Sequence, residues 1–141
     1  MFSRSLKLFS QGNFGNLNNN KKFLTLYTKT HEWFDTETYH CGITKFASKN
    51  LGELIYIHFD EANIGDIEKG NDVFTVESVK SISFIHSPVS GALLRVNESV
   101  ELRDVENNPE KTWLFVVHPV DDNFGLLTKE KYDEHCENEV V

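Results

Sequence analysis

The chain has 141 residues, with 14 Lys and Arg against 22 Asp and Glu, for a formal net charge of -8. That length holds one domain with its own core, and the acidic balance is the wrong sign for a protein that grips a phosphate backbone with basic patches. No apolar run approaches the roughly 20 residues that cross a bilayer as a helix, so neither nucleic acid nor membrane is an expected partner.

Residues 1–31 contain no Asp or Glu, yet they carry Arg4, Lys7, Lys21, Lys22 and Lys29 among serines and asparagines. Phe2, Leu6 and Phe9 recur at helical spacing opposite Arg4 and Lys7. This is the composition of an organellar transit peptide. Residues 1–22 are expected to be a mitochondrial presequence that is removed, and residues 23–141 the working domain. Its removal would leave 10 basic and 22 acidic residues, near -12. Cys41 and Cys136 make no Cys-x-x-Cys element and no His-x-x-x-His pair occurs, so neither a disulfide framework nor a metal is expected.

In the working domain, Trp33 and Phe34 are expected to cover one edge of the core with aromatic area. His31 and Glu32 resemble an acid-base couple, but nothing in the sequence pairs them with a nucleophile, so a structural role is expected. Thr44 can cap a short helix over Lys45–Asn50 with Gly52 just past its end. Leu54 to Phe59 reads as a strand with Ile55, Ile57 and Phe59 on one face. Turns are expected at Gly65-Asp66 and at Gly70-Asn71-Asp72.

Next come two runs rich in aromatic and β-branched residues, flanking a break that holds Lys80. Val73, Thr75 and Glu77 alternate with Phe74, Val76 and Ser78, and Ile82, Phe84 and His86 alternate with Ser83 and Ile85. That period of two predicts a β-hairpin with Lys80 at its tip, although the break lacks the Asn-Gly or Asp-Gly of most two-residue hairpins. By local pattern alone Lys80 reads as an ordinary solvated turn lysine.

Gly65 and Gly91 each lead an asparagine by six positions, at Asn71 and Asn97, a weak repeat on either side of the hairpin. Two similar halves around it would give a flattened β-barrel or sandwich of two antiparallel sheets, with the lysine turn at one end. Ser99 to Pro109 is acidic and turn-rich and reads as a solvated loop. Trp113 to Val117 reads as a buried strand. Thr128 can cap a last helix near 128–137, with Tyr132 and Cys136 on one stripe.

The order Glu77-Ser78-Val79-Lys80-Ser81, followed by Ser87-Pro88-Val89-Ser90-Gly91, resembles the lipoyl-lysine segment of the glycine cleavage system H-protein family. Tyr27-Thr28-Lys29-Thr30-His31-Glu32-Trp33, Cys41-Gly42-Ile43-Thr44 and Leu51-Gly52-Glu53-Leu54 resemble the same family, in the same order ahead of the lysine. Family members usually carry a longer segment where this chain has Asn107 to Trp113. The resemblance implies an all-β lipoyl/biotinyl-type fold with minor helix, and a carrier rather than a catalyst. It places covalent lipoate on Lys80. Glu77, Ser78, Val79 and Ser81 flank that lysine and are expected to be the address read by lipoate-attaching enzymes, Glu77 offering an exposed charge and Val79 an apolar contact beside the amine.

The implied partners are glycine decarboxylase (P protein), aminomethyltransferase (T protein) and dihydrolipoamide dehydrogenase (L protein). The basic tail places the expected carrier, a monomer, in the matrix of a mitochondrion or mitochondrion-related organelle. The implied task is glycine catabolism feeding one-carbon metabolism. A biotin carrier would bracket its lysine with methionines, and the only methionine here is Met1. A lipoyl domain of a 2-oxo acid dehydrogenase would show Asp-Lys and lack the His-Glu-Trp region. A lipoate-relay or regulatory protein, and an unmodified binding module, are the remaining alternatives.

Overall fold

The computed structural model describes residues 24–60 and 64–139; the expected presequence over 1–22 lies outside the described residues. In chain order the elements are β1 (Thr25–Tyr27), β2 (Glu32–Asp35), β3 (His40–Ile43), α1 (Lys45–Leu51), β4 (Leu54–Phe59) and β5 (Gly65–Ile67). Then follow β6 (Asp72–Ser78), β7 (Ile82–His86), β8 (Gly91–Val96), α2 (Leu102–Asn107), a 3-10 turn at Pro109–Lys111, β9 (Phe115–Pro119) and α3 (Lys129–Asn138). A six-stranded sheet runs β1-β2-β3-β9-β8-β5 and a three-stranded sheet runs β4-β6-β7. Neighbouring strands are antiparallel throughout. The expected all-β fold with minor helix is the one found, and because neither sheet closes it is a sandwich and not a barrel.

Alternation builds the core. Phe34, Cys41, Ile43 and Phe115 of the larger sheet meet Phe74, Val76 and Ile85 of the smaller one, each large side chain contributing about 1.5–3 kcal/mol by leaving water. Trp33 and Phe34 do not share an edge. Adjacent residues of a strand point to opposite faces, so Phe34 enters the main core while Trp33 joins Tyr27 and Tyr132 in a second cluster under α3. Gly42 sits opposite Trp33, where a β-carbon would fall 2.6 Å from the indole.

Four other expectations change through pairing and packing between distant segments. A bulge between Leu54 and Tyr56 shifts the register of β4, leaving Ile55 exposed while Ile57 and Phe59 are half-buried. Gly65-Asp66 begins a strand, β5, instead of a turn. The two halves of the weak repeat become neighbours in one sheet, with Gly65 opposite Leu93 and Ile67 opposite Gly91, and not equivalent places in two sheets. The acidic segment 99–109 is not a solvated loop: it holds α2, whose Val105 is buried and packed on the core. Both expected helix caps form, the Thr44 hydroxyl accepting from Ala47 N–H at 3.2 Å and that of Thr128 from Lys131 N–H at 3.3 Å.

One polar group crosses between the sheets. Glu32 of β2 is 2% exposed, and its Oε1 accepts from the hydroxyls of Thr28 (2.5 Å) and Thr30 (2.6 Å). Its Oε2 accepts from the His86 backbone N–H (3.0 Å) and from the His86 imidazole Nδ1 (3.1 Å), at the end of β7 in the other sheet. A carboxylate removed from water needs such partners. The hydrogen bond to Glu32 raises the pKa of His86 above its ordinary value, the charges of Glu32 and Asp72 adding to the effect and partial burial opposing it. A raised folded-state pKa gives stability that is complete below the unfolded value of about 6.5 and is lost as pH climbs through the folded one. Urea unfolding across pH 6 to 9 should therefore show the stability gap between wild type and His86→Gln narrowing as pH rises. A gap that stays constant would contradict this coupling.

Candidate functional site

Lys80 stands where β6 turns into β7, and the turn is built from within. Strand parity puts Ser78 on the same inward face as Phe74 and Val76, and it is 5% exposed. Its hydroxyl oxygen accepts from the backbone N–H groups of Lys80 and Ser81, both at 3.2 Å, and its own proton goes to the Ser81 carbonyl at 3.2 Å. The Ser78 N–H also reaches the Ser81 carbonyl at 2.9 Å. A side chain thus makes the bonds that Asn-Gly backbone geometry makes in commoner hairpins.

The turn rests on a ledge. Val79 N–H donates to the Glu53 carbonyl at 3.0 Å, and Gly52, which ends α1 at φ 77°, lies beneath the lysine stem. A β-carbon at Gly52 would approach Lys80 Cε to 3.3 Å. α2 holds this ledge in place. Glu106 accepts the Leu54 N–H at 2.6 Å, and the Ser48 hydroxyl bonds the carbonyls of Val105 and Glu106, both at 3.1 Å. Lys80 itself is exposed, and among the described residues no hydrogen bond or ion pair engages its ammonium. The residues present therefore fit a covalently carried acyl group, which needs an accessible amine.

Of the residues expected to form the address, Glu77 and Val79 face outward beside Lys80, Val79 being 59% exposed. Ser78 faces inward and shapes the turn, and Ser81 is exposed at its far side. Sequence reasoning missed the surface that surrounds Glu77. Cross-strand register sets Tyr56, Glu77 and Ile82 in one row and His58, Thr75 and Phe84 in the next, and directly opposite residues share a face. Ile82 is 63% and Phe84 50% exposed. The alternation of β7 was legible, but not which of its faces was left uncovered.

His31 and Glu32 are not an acid-base couple. Glu32 is consumed between the sheets, and His31 Nδ1 lies 2.7 Å from the Tyr132 hydroxyl. Burial pushes the Cys41 thiol well above its ordinary pKa, so it stays a protonated core group. No nucleophile, base and oxyanion site come together among the described residues.

A two-sheet sandwich that braces one hairpin from below and offers a single lysine at its tip has the form of a carrier domain. The chain belongs to the glycine cleavage H-protein family, whose model matches residues 25–139. It is 37% identical over 116 residues to a glycine cleavage system H protein of Bacillus velezensis, covering 77% of this chain and 90% of that protein. It is 34% identical over 120 residues to one from Thermotoga maritima, covering 80% and 96%. A crystal structure of a glycine cleavage system H protein from Mycobacterium marinum superposes with a TM-score of 0.66 at 29% identity, covering 81% of this chain and 97% of that one. The family is a lipoyl carrier and not a catalyst, and its membership implies the other components of the glycine cleavage system as partners.

If Ser78 makes the turn, Ser78→Ala should cost about 1–2 kcal/mol, because two backbone donors lose their acceptor. Ser81→Ala, exposed and bonding through its backbone, should stay within about 0.5 kcal/mol of wild type. Urea midpoints of the two variants decide it; equal midpoints would remove Ser78 from this role.

Proposed function

We propose that Lys80 carries lipoate in amide linkage and that the chain serves as the aminomethyl carrier between glycine decarboxylase and the tetrahydrofolate-dependent aminomethyltransferase. The observation that carries this reading is a free, exposed amine on a braced turn, within the segment that resembles the family's lipoyl-lysine motif. The bound dithiolane would supply the group transfer, with dihydrolipoamide dehydrogenase restoring its oxidised form. This chain's residues hold the attachment point still and present it. Tethering gives each partner enzyme a high effective concentration of the carried group, provided the arm reaches.

The Tyr56, Glu77, Ile82 and Phe84 face supports recognition of the turn: one carboxylate is flanked by exposed apolar side chains, beside Val79. Protein from its native compartment should be heavier than its unmodified chain by one lipoyl group, located on the peptide containing Lys80. Lys80→Arg should fold normally and lose both the mass and every transfer activity, since a guanidinium keeps the charge but is not acylated. Glu77→Gln should slow attachment while leaving stability within about 0.5 kcal/mol. Lipoyl mass on another lysine would end the assignment, and a loaded protein that moves no aminomethyl group would favour the lipoate-relay reading.

Residues 1–22 are proposed to direct import into a mitochondrion-type organelle. Supporting this, the tail lies ahead of the family match and is basic where the rest is acidic. Residues 1–30 fused to a fluorescent reporter should bring it into the organelle; a reporter left in the cytosol would refute the proposal.

A further inference from the structure

On the far side of the larger sheet, α3 closes over the β1–β2 turn and brings together three side chains that nothing in the carrier reading uses. His31 sits in that turn at φ 76°. Its ring is stacked on Phe46 at 4.3 Å and set edge-on to Tyr132 at 5.6 Å. With Nδ1 fixed 2.7 Å from the Tyr132 hydroxyl, Nε2 is aimed at the carboxylate of Glu139, 3.0 Å from Oε1 and 3.2 Å from Oε2. His135 and Glu139 are four apart, so they share one face at the end of α3, and His135 Nε2 lies 3.1 Å from the same Oε1. The donor atoms of His31, His135 and Glu139 all lie within 4.8 Å of one another. The Lys29 carbonyl oxygen is 3.0 Å from His135 Nε2.

We propose that His31, His135 and Glu139 form a binding site for a first-row divalent metal ion of the zinc type, at the junction of the β1–β2 turn and the C-terminal end of α3. Two imidazoles and one carboxylate are the donor set such ions take, with a further position left for water or the Lys29 carbonyl. Ligands about 2.0–2.1 Å from one ion stand at most about 4.2 Å apart. Glu139 Oε1 already stands 3.0 Å and 3.1 Å from the two Nε2 atoms, so the closure needed is between the imidazoles, and it falls to His135, partly exposed near the helix end, while the His31 ring stays clamped.

The surrounding hydrogen bonds suit the ligand state. His31 Nδ1–H can donate to the Tyr132 oxygen, and Tyr132 O–H to the Thr44 hydroxyl 2.7 Å away. That leaves the Nε2 lone pair facing the carboxylate, the arrangement in which a second imidazole nitrogen is fixed by an outer partner. A cation is also favoured at a helix C-terminus. The competing description is a metal-free network, with both imidazole N–H groups donating to Glu139. It differs in requiring protons on both Nε2 atoms.

The full chain, purified without a histidine tag and stripped with a chelator, is titrated with Zn2+ by calorimetry and followed by thermal unfolding. One zinc per chain should bind, raising Tm by on the order of 5 °C in excess metal, and Mg2+ should do neither, being an oxygen-seeking ion. His135→Gln and Glu139→Gln, both at the partly exposed helix end, should each lower zinc affinity at least about tenfold and lose the Tm shift. Cys136→Ser should keep both. Failure to bind one zinc per chain, retention of wild-type affinity by the His135→Gln/Glu139→Gln double variant, or loss of binding in Cys136→Ser would each overturn the site. None of these outcomes bears on the lysine, so the carrier reading stands or falls separately.

Discussion

The sandwich depends on a carboxylate that its core could not tolerate alone. Glu32 is buried in the larger sheet, yet four hydrogen bonds reach it, two from threonines of its own turn and two from His86 of the smaller sheet. Truncating one side of such an arrangement typically costs more than the arrangement contributes over an apolar replacement, because the remaining charge is left unpaired in low dielectric. What the pair supplies is therefore position. Hydrophobic attraction between the two apolar faces is non-directional, whereas a carboxylate with fixed donors on both sheets has one place to be. Since His86 ends the strand that leaves the lysine turn, the same bond fixes the hairpin relative to the rest of the molecule.

Rigidity at the tip follows from a second set of polar bonds further along that hairpin. Ser78 turns inward at the last position of β6 and takes up the donors that a short bend would leave unpaired. Behind it stand the Glu53 carbonyl, the glycine end of α1 and the Glu106 carboxylate of α2. The neutral links are ordinary hydrogen bonds worth about 1 kcal/mol net, and the one to the Glu106 carboxylate is worth about 1.5–3 kcal/mol. In series they carry the position of Lys80 back to Val105 and Leu54 in the core.

How far the sequence revealed this follows from the range of each interaction. The hairpin, both helix caps and the buried strand at Phe115 rest on neighbours two to four residues apart, so period and capping chemistry disclosed them. Lys80 was singled out by the order of residues around it, since its local pattern alone marks only a turn. The bulge at Ile55 was invisible because it arises from pairing with β6, and α2 was read as loop because its few apolar residues sit among charges that point to solvent. The meeting of Glu32 with His86, or of His31 with Glu139, has no signature in spacing at all. Ser78 was a partial exception: a serine in phase with Phe74 and Val76 must find hydrogen-bond partners in the interior, and the nearest candidates are the backbone groups of the turn.

In the role proposed above, a carrier that visits several active sites has reason to divide its chain between stiffness and freedom in this way. Ordering a loose hairpin at every encounter would subtract from binding each time, about 0.5–1.5 kcal/mol for each immobilised long side chain and more for backbone. Bracing the turn during folding removes that cost from the encounter and leaves only the lysine stem and whatever it carries to be positioned. The surface next to it suits a brief contact better than a lasting one. Tyr56, Ile82 and Phe84 offer apolar area on one narrow three-stranded sheet, and Glu77 at its middle makes close approach of a wrong, acidic surface unfavourable. The strong net negative charge of the domain can hasten the arrival of basic partners without holding them, because screening over about 8 Å at physiological salt confines its pull to the approach. Fast arrival and weak retention are what the role proposed for Lys80 would require, and the placement of the charges and the exposed apolar side chains suits both.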